Sequence, residues 1–209
     1  MIEVIDNAMQ LFVTTVCAFW AGTLAFKSKK QVYRILTCFY GTFSLGLLFW
    51  LMYLIVMTYT PKIFYVSDLS WVASFLFLFM MNVFVSTTEE RKYKTPITWV
   101  VTAVLLALMV YFCFWGDYLN TILSSGILIL NGYFSTRGFI YARHQNDEKR
   151  SMQYIHGAIL FVVFAENALW LASCLYPDIT IKTPYVWLDF VLSIGLFSLI
   201  PATKKVVGK

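Results

Sequence analysis

Phe161-Val162-Val163-Phe164-Ala165-Glu166-Asn167-Ala168-Leu169-Trp170 lies within an apolar run, 152–175, that carries one acid near its middle. A helix needs about 20 mostly apolar residues to cross a hydrocarbon core roughly 30 Å thick, and this run has them. It is continuous, whereas the strands of a membrane barrel alternate over about ten residues, so helix is the expectation. Working outward, six more runs have this character: about 8–26, 35–58, 67–87, 97–115, 118–140 and 184–203. Short polar segments separate them, among them Lys27-Ser28-Lys29-Lys30, Glu89-Glu90-Arg91-Lys92 and Asn146-Asp147-Glu148-Lys149-Arg150. The tightest link is Trp115-Gly116-Asp117-Tyr118, where Gly-Asp supplies turn chemistry. Six spans with one long kinked hairpin is the alternative count. The sequence predicts an all-α polytopic membrane protein, a single seven-transmembrane-helix domain over residues 1–209.

Composition agrees. Of 209 residues, 60% are hydrophobic and 13% charged, against about 45–50% and about 25% in soluble domains. That leaves too little polar surface to cover a water-soluble globule. A disordered tail, a nucleic-acid-binding domain and a disulfide-stapled module are excluded with it. The cysteines at 17, 38, 113 and 174 form no CxxC pair, so neither zinc site nor disulfide framework is expected. Two histidines do not make a metal cluster, and no cofactor is expected.

Charge placement orients the bundle. With the N-terminus outside, the inner segments hold Lys27, Lys29, Lys30, Arg34, Arg91, Lys92, Lys94, Arg137, Arg143, Lys149, Arg150, Lys204, Lys205 and Lys209; only Lys62 and Lys182 fall outside. Lys/Arg excess marks the cytoplasmic side, so an outside N-terminus and cytoplasmic C-terminus are expected. The net charge of +5 then serves orientation and contact with anionic inner-leaflet lipid rather than nucleic acid. Glu3 and Asp6 precede the first run and the basic cluster follows it, the reverse of a signal peptide. The loops between the runs are short and leave no stretch for a catalytic output domain.

Ionisable groups inside a bilayer are expensive and are candidate site residues by default. Glu166 and Asp189 sit at similar depth near the outer face, with Asp68 at the start of its helix and Asn167 beside Glu166. Trp50, Tyr53, Trp71 and Trp170 reach the same level, as do Asn7, Gln10, Thr14 and Thr15 on the first helix and Asn120 and Ser124 on the fifth run. Together they suggest an outward-opening cavity of carboxylates, amides and indoles that suits a cationic ligand. The bland alternatives are a belt of interfacial aromatics and an interhelical hydrogen bond at Glu166. Asn131 reads as an interhelical hydrogen bond, and Pro201 as the end of the last helix. A retinal Schiff base is excluded, since no lysine lies between Pro184 and Thr203.

Four motifs carry a resemblance: Leu48-Phe49-Trp50-Leu51-Met52-Tyr53 after a basic first loop, Ser67-Asp68-Leu69-Ser70-Trp71, Glu166-Asn167-Ala168-Leu169-Trp170, and Tyr185-Val186-Trp187-Leu188-Asp189. In these the chain resembles the seven-helix membrane sensor regions at the N-termini of bacterial diguanylate cyclases and histidine kinases, here without their output domain. The resemblance implies a receptor-like sensory module of the bacterial inner membrane. It would bind a small or lipidic ligand in the outer cavity and signal through a separate partner. Two alternatives stand beside it. One is a lysoplasmalogenase-like lipid hydrolase that pairs Glu166 with Asp189 or Asp68. The other is a small-molecule transporter in which Glu166 titrates.

Overall fold

The computed structural model describes residues 2–57, 66–115, 118–145, 150–176 and 180–207. Helix is the regular structure throughout: α1 Ile2–Ser28, α2 Gln31–Val56, α3 Val66–Val85, the short α4 Thr88–Lys92, α5 Pro96–Cys113, α6 Tyr118–Arg143, α7 Met152–Leu175 and α8 Pro184–Val207. Six of these, α1, α2, α3, α5, α7 and α8, are long and apolar enough to cross a membrane. α6 is as long as α2 but more polar, because Thr121, Ser124, Ser125, Asn131, Ser135, Thr136 and Arg137 line its buried face.

That distribution holds the key to the environment. On α1 the inward seam is Asn7, Gln10, Thr14, Cys17 and Ala21, while Ile5, Phe12, Phe19 and Phe26 point outward, with Phe26 88% exposed. Both sets follow heptad spacing, so they occupy separate faces of one helix. A helix facing water would reverse them, with apolar residues inside. An outward apolar face and an inward polar one belong to a helix whose solvent is lipid. The chain is therefore built as a multi-pass helical bundle.

Contacts run α1–α2, α2–α3, α3–α6, α6–α7, α7–α8 and α8–α1, closing a ring of six helices. α5 packs outside the ring on α6 and α7, and α4 rests on α6. The waist is dry and aromatic: Phe39 and Phe43 of α2 meet Phe75 of α3, and Leu78, Ile159, Val162 and Leu196 fill the remaining space. Tyr40 spans the ring by donating its hydroxyl to the Leu196 carbonyl of α8. Asn131 of α6 donates to the Phe75 carbonyl at 3.1 Å, the interhelical bond its position predicts.

Local signals explain most of the ends. α1 closes with Lys29 in the left-handed region (φ 55°), its N–H returning to the Ala25 carbonyl, and α2 starts two residues later. Thr87 caps α4 by accepting from the Glu90 N–H, and Pro96 opens α5, where its missing N–H costs nothing. Two sequence expectations are corrected. α1 begins at Ile2 rather than near residue 8, so Glu3 and Asp6 are helical. α8 runs through Pro201 to Val207 instead of ending there. Leu199, Ile200, Ala202 and Thr203 are all buried on either side of the proline, and that packing offsets the hydrogen bond it removes. The Gly116-Asp117 turn, Lys62, Asn146 to Lys149, Asp178 and Lys209 lie outside the described residues.

Helices α2 and α3 cross closely at one glycine. A Cβ on Gly46 would stand 2.8 Å from Nε1 of Trp71 and 3.1 Å from the Ser67 carbonyl oxygen, whereas one on Gly41 meets nothing within 4 Å. Gly46→Ala is expected to lower the melting temperature in detergent, costing roughly 1–3 kcal/mol for the forced shift of the indole and of α3. Gly41→Ala, on the same helix, is expected to leave it unchanged or raise it, since alanine is the better helix former by about 1 kcal/mol. Equal effects at the two positions would show that this crossing is not tight.

Candidate functional site

Five helices build one cavity at the end of the bundle where α1, α3 and α8 begin. Each of four supplies residues at i, i+3/i+4 and i+7 spacing, the period that puts them on one helical face. They are Glu3, Asn7 and Gln10 of α1; Phe43, Leu47 and Trp50 of α2; Glu166, Leu169, Trp170 and Ser173 of α7; and Tyr185, Asp189 and Leu192 of α8. Trp71 of α3 completes the wall, and the cavity has a volume of about 280 Å³.

The site is acidic. Glu3, Glu166 and Asp189 line it, and Asp6 faces the Asp189 carboxyl from behind. No lysine, arginine or histidine is among the described lining residues. Gln10 donates its amide to Asp189, the indole of Trp170 lies within hydrogen-bonding reach of Glu166, and the Trp50 indole lies likewise near Glu3. These contacts do not satisfy the set. Among the described residues, Glu166 Oε2 is buried with no donor, and Asp6 has only the Asp189 carboxyl beside it. Tyr185 stands amid all four carboxyls. Acids held in this way are costly to keep charged without a partner, so each takes up a proton or invites a compensating cation.

Of the residues expected at the site, the fold brings together Glu166, Asp189, Trp50, Trp71 and Trp170. Tyr53, Asp68 and Asn167 are not among the lining residues. Tyr53 is buried and stacks against Trp50 with ring centroids 6.3 Å apart. Asn167 turns to its own helix, donating to the Val163 carbonyl at 2.8 Å. Asp68 sits half-buried in the first turn of α3. Asn120 and Ser124 pair with each other on α6, which supplies none of the described lining residues. Glu3, Asp6 and Tyr185 were not expected there. The signal that finds Glu3 is the polar stripe Glu3, Asn7, Gln10, Thr14, which only a helix starting at residue 2 would produce.

A second buried polar cluster occupies the opposite end. His156 of α7, with no exposed surface, faces Glu90 of α4 at 3.5 Å, and Ser86 donates to Glu90 at 2.7 Å. Arg137 of α6 donates to the Arg91 carbonyl at 3.1 Å and lies over the Phe134 ring at 4.7 Å. Gly138 makes room for the pair, because a Cβ there would stand 2.4 Å from His156 Nε2. Burial pushes the Glu90 carboxyl up, but the hydrogen bond and charge of His156, the Ser86 hydroxyl and the Arg137 charge together hold it below its ordinary value. The basic residues Lys30, Arg91, Lys92, Arg143, Lys204 and Lys205 gather at this same end, where Lys30 reaches the Val207 carbonyl and Lys204 lies over Trp20.

Compared with family models, characterised proteins and solved structures, the chain matches none, so the site is read from its own geometry.

The depressed Glu90 carboxyl gives a signed prediction. Its contribution to stability is present above the ordinary carboxylate pKa, roughly 4.3, and is lost as pH falls through the lower folded value. Glu90→Gln is therefore expected to lower stability at pH 7, by about 1.5–3 kcal/mol for hydrogen bonds to a charged group. The gap from the parent should narrow as the pH drops below 4. Melting curves from pH 3 to pH 8 check this, and a gap that widens on acidification would contradict it.

Proposed function

We propose that the chain is a receptor-like sensory module of the bacterial inner membrane. In this reading all seven long helices span the bilayer, α6 included, with the N-terminus outside. Its polar face supports that view, because it turns inward against neighbouring helices, Asn131 bonding to α3, while Leu119, Ile122, Leu123 and Leu130 face out. The collection of basic side chains at one end supports the orientation. The cavity then opens outward, a small molecule binds there, and a separate partner reads the basic end.

One observation carries the reading: a hollow walled by Glu3, Glu166, Asp189 and three indoles, with no lysine, arginine or histidine among its described lining residues. Polar groups converging in an aromatic cavity are the usual form of a small-molecule site. α7 carries Glu166 in the cavity and His156 in the opposite cluster, so one rigid helix joins both ends. A ligand shifts such a bundle only by binding one packing better than the other, and Glu166 is placed to sense that difference.

The facing carboxyls of Asp6 and Asp189 favour a second reading, a lipid hydrolase using an acid–base pair. It predicts a lipid product, detectable by mass spectrometry, that disappears in Asp189→Asn.

Two measurements test the main reading. With the native cysteines replaced by alanine, Lys182→Cys should react with an impermeant maleimide on intact cells, and Lys92→Cys only after permeabilisation. The reverse pattern would overturn the orientation. In nanodiscs, at least one pool of small metabolites should raise the melting temperature. Glu166→Gln should abolish that shift while keeping expression and the unliganded melting temperature. Shifts of equal size in the variant would remove Glu166 from the site.

A further inference from the structure

We propose that the ligand of this cavity is a protonated amine bearing at least one N–H and a body no larger than a single ring. The proposal rests on the cavity being the binding site. It adds the chemical class.

Size comes first. At about 280 Å³ the cavity falls at the lower edge of the range for small-molecule pockets, roughly 300–1,000 Å³, which excludes a whole phospholipid. Charge comes next. Three carboxylates line the hollow, a fourth backs Asp189, and no basic side chain among the described residues offsets them. An anion would meet carboxyl groups and no basic side chain among the described lining residues. A bare divalent ion would want six or more oxygens around it, and Phe43, Trp50, Trp71, Trp170 and Leu169 occupy the wall instead. An organic cation uses both halves: the indoles take its apolar body and attract its charge, and the acids take its head.

The unpartnered oxygen sharpens the class. Glu166 is 93% buried, and its Oε2 lacks a donor. A quaternary ammonium brings charge but no N–H, so that oxygen would stay unsatisfied. A primary ammonium brings three donors, enough to reach both Glu166 and Asp189.

The experiment uses the full chain in nanodiscs, with tryptophan fluorescence as the readout because Trp50, Trp71 and Trp170 form the wall. Three probes of similar shape are titrated: phenethylamine, its N,N,N-trimethyl analogue and 2-phenylethanol. Phenethylamine is expected to give a saturable change, the trimethyl analogue to bind at least tenfold more weakly, and the alcohol to give no saturable change. Glu166→Gln should weaken phenethylamine at least tenfold. Should that variant fail to fold, Trp170→Phe, which keeps an aromatic wall, should weaken it severalfold. Equal binding of all three probes, or of the amine to parent and variant, overturns the proposal, as does absence of saturable amine binding. Saturable binding of the alcohol that Trp170→Phe weakens would sink the amine class yet keep the cavity as a binding site. No binding by any of the three, together with no metabolite pool shifting the melting temperature, would sink both.

Discussion

A polar group in lipid has no water to turn to, and this constraint shapes the whole molecule. Gln10, Asn131 and Arg137 find partners across helix interfaces and Asn7 and Ser124 on their own helices, and all face inward while phenylalanines and leucines face out. The ring α1–α2–α3–α6–α7–α8 is the arrangement that lets them do so. Small residues let it close. Gly46 admits the Trp71 indole and Gly138 admits the His156 ring, and both contacts would be broken by a single added carbon. Packing, not a hydrophobic drive between helices, holds such a bundle together.

Within the ring, polar groups are not spread evenly. They gather into two clusters, the cavity at one end and Glu90, His156 and Arg137 at the other, with the aromatic waist of Phe39, Phe43 and Phe75 between them. The two differ in electrostatic logic. At the basic end, acid meets base, with Glu90 facing His156 and near Arg137. In the cavity, acid meets acid, and the other polar groups among its described lining residues are amides, indoles, a hydroxyl and a phenol. An imbalance of this kind is stable when something else enters, and that is why the cavity, rather than the basic end, is the candidate site.

Six long apolar helices are legible in the sequence because length and hydropathy are one-dimensional quantities. The run 152–175 coincides with α7, and Glu166 and Asp189 were placed at a common depth simply by counting residues from their helix ends. What counting cannot supply is azimuth. Successive residues on a helix diverge by about 100°, so Asn167 shares the depth of Glu166 but points into its own backbone. Tyr53 shares the level of Trp50 but stands behind it. The first helix shows the converse error. Glu3 and Asp6 look like the polar lead of a span beginning near residue 8, and only tertiary packing against α8 draws that turn into the bundle. Pro201 was misread for a related reason: buried contacts on both sides outweigh a local breaker. Glu90 sat in what reads as a charged loop, and its partner His156 lies on a helix 66 positions away, so no local pattern joins them.

On the proposed reading, the coupling of the two clusters follows from α7. Glu166 and His156 are ten residues apart on it, which places them about 15 Å apart along the axis. A helix over that length is stiff, so a cation drawing Glu166 toward the cavity centre moves or rotates the segment that carries His156. The Glu90 partner sits on α4, a five-residue helix held by Thr87, Ser86 and α6, and is therefore easier to displace than a full span. The weak element thus lies at the cytoplasmic end of the rigid one, under the proposed orientation. A shift of α7 reaches the membrane surface as a change in how α4 presents Arg91 and Lys92. On this reading a separate partner reads that change.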